Sequence, residues 1–416
     1  MLRRLLTLLL VAASTHAVAS NQAWVQYGPR GVEVRALTSD NTCPAADIDG
    51  KTLPMQERAV PNAAYPARTC QLDLPSGTKK ASVFGRPLML PVDDPQTIVI
   101  LGDTGCRMKG KLNAGGVFQA CNDPKSWPFS LIAEVAAQQR PDLVVHVGDY
   151  HYRETPCPDS EGGCTGSPWG DTQAVWEADL LEPAHTLLRT APWVFVRGNH
   201  EECKRGGKGW SRMFDPYPFD VEHGCNAMED AWIVKLKGLD LGVVDNSSID
   251  EGDEKTAFSD SLKAQLHKLG EQSAGTPLWV LMHRPARSVV HVHAGTVIGG
   301  NATLAAGFDA ATPSNLQYIW SGHLHAFEVM NWQDGSVPQI VTGHGGDVLD
   351  RDAPSTLDGL IQLGKQISTG WGQIGDFGFV LLKKHESKWE LTNHDRFGNV
   401  TMRCELAKPI ICAPVH

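Results

Sequence analysis

Five short polar motifs, each following an apolar run typical of a strand, constrain this chain more than any other feature. Short continuous apolar runs favour buried strands of a mostly parallel sheet. In such a sheet, ligands bind beyond the carboxyl ends of the strands, so the motifs are expected to meet at one edge. The runs and their motifs are 97–101 with Gly102-Asp103-Thr104-Gly105, 143–147 with Gly148-Asp149-Tyr150-His151-Tyr152, 193–196 with Gly198-Asn199-His200-Glu201, 278–281 with Val280-Leu281-Met282-His283, and 317–320 with Gly322-His323-Leu324-His325.

The polar residues of these motifs are types that bind metal ions. They include two aspartates, one tyrosine, one asparagine and three histidines in positions that can ligate. Hard oxygen atoms and imidazole nitrogens suit iron, manganese or zinc, and the set differs from a thiolate zinc finger. His323 and His325 are two residues apart, so in an extended segment both imidazoles lie on one side. One short segment can therefore serve two metal ions.

In this order, the motifs resemble those of the purple acid phosphatases, within the calcineurin-like metallophosphoesterase superfamily. The family pattern is Asp-x-Gly, Gly-Asp-x-x-Tyr, Gly-Asn-His-Asp/Glu, Val-x-x-His and Gly-His-x-His, and the resemblance covers roughly residues 96–345. It implies an α/β fold, a sandwich of two mixed β-sheets flanked by helices. It also implies two metal sites that share Asp149 as a bridge: Asp103, Asp149, Tyr152 and His325 for the first, and Asp149, Asn199, His283 and His323 for the second.

Tyr152 distinguishes this chain within the superfamily. Most relatives carry a histidine at the position of Gly105, which has no side chain to ligate. A phenol has a pKa of about 10, so its ionisation at a metal favours a strong Lewis acid. We therefore expect Fe(III) at the Tyr152 site and a divalent metal (Fe, Zn or Mn) at the second, the alternative being a packed tyrosine with a satisfied hydroxyl. Fe(III) acidifies bound water more than a divalent ion does, which predicts activity below neutral pH.

The resemblance implies hydrolysis of phosphate monoesters by in-line attack of a metal-bound hydroxide. His200 follows the expected ligand Asn199 and is expected to contact substrate or donate a proton. His291 and His293 lie in a loop that often supplies the general acid in the family, with a slight preference for His293. A surface-loop role fits each of these two residues equally well.

Three other functions are compatible with the sequence. A phosphodiesterase or nucleotidase of the same superfamily would use two divalent metals only, and activity on diesters over monoesters would favour it. An inactive exported metal- or phosphate-binding protein would be favoured by loss of a ligand, and all the expected ligands are present. An iron-dependent redox activity would show iron content without phosphatase turnover.

The start of the chain is typical of a secretory signal peptide. Arg3 and Arg4 precede an apolar run at 5–13, and small residues follow at 17–20, which predicts cleavage near residue 19. The apolar run is shorter than the roughly 20 residues that a membrane-spanning helix needs. We expect a signal peptide at 1–19, a small β-rich N-terminal segment at 20–95 and the catalytic domain at 96–416. The protein would be exported, to the periplasm or the extracellular space, with no membrane anchor after cleavage.

Ten cysteines fit an oxidising compartment. Neighbouring cysteines along the chain suggest five disulfides, although spacing alone leaves other pairings open. Cysteine ligation of a metal is the less favoured alternative. The suggested pairs are 43–70, 106–121, 157–164, 203–225 and 404–412.

The formal net charge of −10 argues against a general nucleic-acid-binding protein, which needs a basic face. Small phosphorylated substrates are the expected partners, and the oligomeric state is not indicated. One local basic stretch, 204–208, follows the third motif and can attract an anion or simply be a solvated loop. Between the strands, helices are predicted at 128–139, at 172–189 with a bend or break at Pro183, and at 258–269.

Overall fold

The computed structural model describes residues 21–110, 116–250, 252, 254–293, 296–350, 352, 354–372 and 376–415. The predicted signal peptide at 1–19 lies outside the described residues. Within the described ranges, every helix is too short or too polar to cross a membrane.

The largest element is a mixed sheet of eleven strands, which we call the first sheet. Four strands in its middle run parallel to one another, and antiparallel strands extend the sheet on both sides. From one edge to the other, the strands are Ile411–Pro414, Val400–Leu406, Lys388–Asp395, Gly378–His385, Thr97–Leu101, Leu143–His146, Trp193–Phe195, Gln22–Gly28, Gly31–Thr38, Arg68–Asp73 and Gln56–Ala59.

A mixed sheet of eight strands, the second sheet, faces the first one. Four of its strands form a parallel group, and antiparallel strands extend it on both sides. In spatial order, the strands are Trp232–Leu236, Leu239–Val243, Leu278–Leu281, Leu316–Ser321, Gln339–Thr342, Phe327–Trp332, Lys365–Trp371 and Ile361–Gln362.

Three small sheets and a few helices complete the described structure. The small sheets pair Met108–Gly110 with Gly116–Phe118, His291–His293 with Thr296–Ile298, and Lys51–Pro54 with Ala45–Ile48, Ala81–Val83 and Arg86–Pro87. The α-helices are Phe129–Gln138, Gln173–Trp176, His185–Thr190, Gly207–Met213, Thr256–Ser273 and Ala302–Ala311; Glu177–Leu181 is a π-helix, and Gly162–Cys164 and Asn199–Glu201 are 3₁₀ turns.

The hydrophobic cores lie between these layers. Ile100 and Val145 of the first sheet and Trp279 and Trp320 of the second belong to one buried cluster between the sheets. The opposite face of the first sheet is buried under helices that include Phe129–Gln138, and the opposite face of the second sheet packs against Thr256–Ser273 and Ala302–Ala311. The α/β fold predicted from the sequence, a sandwich of two mixed sheets flanked by helices, is confirmed.

The predicted helix at 172–189 differs most from the structure. Its place is taken by Gln173–Trp176, the π-helix Glu177–Leu181 and the separate helix His185–Thr190. The break falls around Pro183, which cannot donate a backbone hydrogen bond, as the sequence indicated. The π-helical turn adds a second irregularity that side-chain periodicity does not reveal.

The N-terminal segment joins the first sheet directly. Gln22–Gly28 pairs with Trp193–Phe195, and three more strands of the segment follow it outward. The guanidinium of Arg35 is fully buried and donates to the carbonyl oxygens of Met213 (2.8 Å) and Asp215 (2.9 Å), at the end of the helix Gly207–Met213. The segment therefore supports the loop that follows the third motif. Its separation at residue 95 stays a prediction.

All five disulfides have the predicted pairing: 43–70, 106–121, 157–164, 203–225 and 404–412. Three of them begin shortly after a motif, at Cys106, Cys157 and Cys203. A disulfide limits the conformations of the loop that it closes, so these three hold the loops around the motifs in place.

His344 gives the fold a specific pH dependence. Burial lowers the pKa of His344 from 6.5 to about 4. The folded state therefore resists a proton that the unfolded state accepts, and its contribution to stability is present above pH 6.5 and lost as the pH falls toward 4. We expect His344→Gln to remove this loss. As the pH falls from 6.5 toward 4, the free energy of unfolding of the variant should therefore rise relative to that of the parent, by up to about 1.4 kcal/mol per pH unit.

Urea unfolding of both proteins at several pH values measures this difference. The matched control is His267→Gln, because His267 lies on the surface of the helix Thr256–Ser273, 73% exposed. The control should follow the parent at every pH. Parallel pH curves for His344→Gln and the parent would contradict the prediction.

Candidate metal centre

The side chains of the first, second and fifth motifs are aimed by turns of left-handed backbone at strand ends. Asp103, Asp149 and His323 have φ angles of 55°, 60° and 70°, and each follows a strand within three residues. Residues without a glycine's freedom adopt this conformation at a cost of about 1–3 kcal/mol each. The surrounding fold therefore holds three strained turns at the same edge of the sandwich.

Tyr152 stands at the centre of the first group of expected ligands. Its hydroxyl oxygen lies 2.9 Å from Asp103 Oδ1, 2.8 Å from Asp149 Oδ2 and 3.0 Å from His325 Nε2. All four side chains are buried, Tyr152 and Asp103 completely. The structure thus brings the four residues of this group together around one point.

Gly105 packs against the ring of Tyr152. A Cβ atom at Gly105 would lie 2.4 Å from the carbonyl oxygen of Tyr150 and 2.9 Å from Cδ2 of Tyr152. Real Cβ atoms do not approach other atoms so closely, so no larger residue fits there in this backbone. The position of the Tyr152 ring in this backbone therefore requires a glycine at residue 105.

The second group of expected ligands lies on the other side of Asp149. His283 Nε2 is 3.1 Å from Asp149 Oδ2 and 3.1 Å from Asn199 Oδ1. Ligand atoms of Asp149, His283 and His323 all lie within 4.8 Å of one another, close enough for one ion. Asp149 therefore belongs to both groups, as a bridging residue must.

Two histidines of the centre are oriented by backbone carbonyls. His283 Nδ1 donates to Val147 O (2.8 Å), and His325 Nδ1 donates to Val348 O (2.7 Å). In each ring, Nε2 is then the nitrogen that faces the acidic side chains and has a lone pair for a metal. This second hydrogen bond is a usual feature of metal-ligating histidines.

Burial and charge perturb the ionisation of these groups. Burial and the charges of Asp103 and Asp149 raise the pKa of Tyr152 well above 10. Burial alone lowers the pKa of His325, but the charges of Asp347 and Asp103 outweigh it and raise the pKa to about 9. The centre therefore concentrates acidic oxygen atoms in a buried place, an arrangement that bound cations stabilise.

Glu201 organises two of the motif turns, a role that the sequence analysis missed. Its carboxylate oxygens accept hydrogen bonds from the backbone N–H groups of Gly198, Asp149, Tyr150 and His151, at 2.9–3.0 Å. The side chain is fully buried. The available signal was its position in the third motif, directly after Asn199-His200. This acidic residue is not among the expected metal ligands, which leaves a structural role for it.

Asp347 and Arg107 were also missed. Asp347 is fully buried, and its Oδ2 lies 3.4 Å from His325 Nε2. Arg107 forms an ion pair with both oxygens of Asp347, and its guanidinium lies 5.0 Å above the ring centre of Tyr152. The two residues come from opposite halves of the chain and outside the motifs, so no local pattern signals their contact.

His200 packs against the ring of Tyr152. Its ring centre is 3.8 Å from that of Tyr152, and its Nε2 is 3.8 Å from Asp149 Oδ2. Its Nδ1 lies 2.8 Å from Glu154 Oε1 and 2.6 Å from Nη2 of Arg205. Burial lowers the pKa of His200 to about 4. Arg205, from the basic stretch 204–208, is thus part of the centre and is not merely solvated.

His291 and His293 lie in the small ribbon formed by His291–His293 and Thr296–Ile298, half-buried and exposed respectively. The hydrogen bonds of the described residues place neither of them in the centre. His291 is the cross-strand partner of Ile298, and His293 is the partner of Thr296. Their predicted role as general acid stays a prediction.

Comparison with known proteins places the chain in a family. The model of the calcineurin-like phosphoesterases matches residues 96–327, and the chain belongs to this family of hydrolases that act on phosphoric ester bonds. A search of curated proteins finds no match.

Solved structures with a similar fold include a purple acid phosphatase, PPD1, from seeds of yellow lupin (Lupinus luteus). It is 15% identical, with a TM-score of 0.55, over 91% of this chain and 72% of the lupin chain. The structure of PhoD is 9% identical, with a TM-score of 0.55, over 95% of this chain and 91% of PhoD. At these identities the similarity concerns the fold.

Proposed function

We propose that this protein is an exported acid phosphatase of the purple acid phosphatase type, which hydrolyses phosphate monoesters at a pair of metal ions. The observation that carries the proposal is the position of Tyr152, whose hydroxyl lies within 3.0 Å of Asp103, Asp149 and His325. The packing of Gly105 against the tyrosine ring supports it, because a histidine at that position would clash.

The donor atoms fit one trivalent and one divalent ion. Asp103, Asp149, Tyr152 and His325 would hold Fe(III), since a phenolate and carboxylates are hard, anionic donors. Asp149, Asn199, His283 and His323 would hold a divalent Fe, Zn or Mn ion. The hydrogen bonds that leave Nε2 of His283 and His325 facing the acidic oxygens support this assignment.

When bound, the two ions supply an activated water and neutralise charge on the phosphoryl group. The protein's own residues orient and protonate the substrate. His200 Nε2 lies 3.8 Å from the shared Asp149 Oδ2, and Arg205 Nη2 contacts both ring nitrogens of His200, so the two side chains would together face a phosphoryl group bound beside Asp149. His291 or His293 would donate the proton to the leaving alcohol, because a good leaving group requires that proton.

Export is part of the proposal. A signal peptide at 1–19 would direct the chain to the periplasm or the extracellular space. Five disulfides in the described residues fit such a compartment, because cytosolic proteins rarely retain them.

The visible absorption spectrum tests the metal assignment. We expect the protein, exported with iron supplied, to show a charge-transfer band from tyrosinate to Fe(III). Tyr152→Phe should abolish this band, because it removes the phenolate oxygen. Tyr150→Phe is the matched control, since the hydroxyl of Tyr150 donates to the carbonyl oxygens of His146 and Val196 and lies outside the acidic group.

A band that persists in Tyr152→Phe would overturn the assignment of the tyrosine. A colourless protein with two divalent ions that hydrolyses diesters faster than monoesters would replace the proposal with the phosphodiesterase or nucleotidase alternative. Iron content without any phosphatase turnover would favour a redox function.

A further inference from the structure

A groove of about 480 Å³ opens beside the candidate metal centre. His323, an expected ligand of the second metal, is part of its lining. Its walls include apolar side chains of Pro285, Val290, Ile298 and Leu324. The volume is within the range of small-molecule sites and exceeds what a phosphate group alone fills.

Arg284 marks the end of the groove that faces the metal centre. Its Nη1 lies 3.1 Å from Nε2 of His323, and its side chain also lines the groove. The buried amide of Asn246 holds its backbone: Oδ1 accepts the N–H groups of His283 (3.2 Å) and Arg284 (3.0 Å), and Nδ2 donates to Arg284 O (2.9 Å). The guanidinium of Arg284 thus lies where the metal centre meets the groove.

Apart from Arg284 and His323, the lining of the groove is mostly apolar or glycine, and its other polar side chains are those of Ser288, Asn301 and Asp350. The cationic end suits a phosphoryl group at the metals, and the apolar walls beyond it suit a group that loses little on leaving water. Ile298 is 44% exposed on the ribbon, and its side chain lines the groove. The apolar part of a ligand in the groove would cover part of this exposed side chain.

We propose that this groove binds the alcohol part of the substrate and selects phosphate monoesters of apolar, aromatic or alkyl, alcohols over those of small polar alcohols. This inference rests on the proposed phosphatase function and specifies its substrate class. It also gives the ribbon a function, because His291 is the cross-strand partner of Ile298 and shares its face of the ribbon. The leaving alcohol would then lie next to His291.

Steady-state kinetics with two substrates test the inference. We compare 1-naphthyl phosphate with glycerol 2-phosphate in the parent and in Ile298→Asn, which keeps the number of non-hydrogen side-chain atoms but makes the side chain polar. We expect kcat/KM for naphthyl phosphate to fall about tenfold, as the loss of an apolar contact does in a specificity pocket, and kcat/KM for glycerol phosphate to change less than about twofold. The matched control is Ile411→Asn, because Ile411 is 62% exposed on the outermost strand of the first sheet. The control should keep both values.

The outcomes separate the two proposals. Hydrolysis of both esters by the parent, with an unchanged ratio in Ile298→Asn, would overturn the groove assignment and leave the phosphatase function intact. An equal loss for both esters would overturn it as well, since the residue would then act on the common phosphate. A parent that hydrolyses neither ester would overturn the phosphatase function and the groove assignment together. Thermal unfolding is measured for both variants, and an unfolding temperature equal to that of the parent shows that the fold is retained.

Discussion

Asp149→Asn should lower phosphate-ester hydrolysis by at least about 10³-fold, since two metal ions contribute several kcal/mol to the transition state. The reason lies in the position of Asp149 Oδ2, 2.8 Å from the hydroxyl of Tyr152 and 3.1 Å from Nε2 of His283. This oxygen is the only point that both groups of expected ligands share among the described residues. An amide in its place has half the oxygen atoms and no charge, so it cannot bridge two cations.

A second readout of the same variant does not depend on activity. Ligands that bind only the folded state raise its stability, by about 2.7 kcal/mol at a concentration of one hundred times the dissociation constant. The parent should therefore unfold at a higher temperature after metal is added to chelated protein. Asp149→Asn should show little or none of this increase.

Asp142→Asn is the matched control. Asp142 immediately precedes the strand Leu143–His146, and Asp149 follows the same strand at its other end. The carboxylate of Asp142 accepts the backbone N–H groups of Gln96 and Thr97, a structural role at the edge far from the motifs. This variant should keep both activity and the response to metal. Near-parental turnover in Asp149→Asn would contradict the bridging role.

The edge on which the motifs meet could be predicted because its signal is local. The strands at 97–101 and 278–281 have the predicted bounds, and those before Asp149 and Asn199 end only one residue early. Each polar motif must then leave its strand at the carboxyl end, where parallel neighbours also end. The side chains that follow a buried strand can thus be placed together without knowledge of any loop.

Contacts between distant parts of the chain could not be predicted in this way. The ion pair of Arg107 with Asp347 joins residues 240 positions apart, and neither belongs to a motif. The groove beside His323 depends on the antiparallel pairing of His291–His293 with Thr296–Ile298, which side-chain periodicity does not indicate. Arg35 gave no signal of its long-range contacts either, because its distant partners are the backbone carbonyls of Met213 and Asp215, and its side-chain partner is the nearby Glu33.

Glu201→Ala should be the most destabilising single substitution near the centre. The carboxylate of Glu201 accepts four backbone N–H groups, two at each oxygen, and the side chain is fully buried. A buried N–H without an acceptor costs about 1–3 kcal/mol, so the loss of four acceptor contacts should lower the free energy of unfolding by more than about 4 kcal/mol.

Glu201→Gln distinguishes hydrogen bonding from simple packing. Glutamine keeps the shape of the side chain and one oxygen, but its NH₂ group would face two N–H donors. Its free energy of unfolding should therefore fall between those of the parent and of Glu201→Ala. If packing alone mattered, Glu201→Gln would be as stable as the parent, and urea unfolding of the three proteins decides this.

The neighbouring Glu202→Ala provides the control for Glu201, because Glu202 contributes its carbonyl oxygen, and not its side chain, to the hydrogen bonds of the following turn. It should unfold at the same urea concentration as the parent.

The effect of Glu201 on function follows from the two turns that its carboxylate joins by hydrogen bonds, since Asp149 lies in one turn and Gly198, before Asn199, lies in the other. Residues that orient metal ligands change metal affinity by about 10–100-fold when they are removed. Folded Glu201→Gln should therefore require correspondingly more metal for half-maximal activity, and an unchanged requirement would show that the two turns keep their spacing without Glu201.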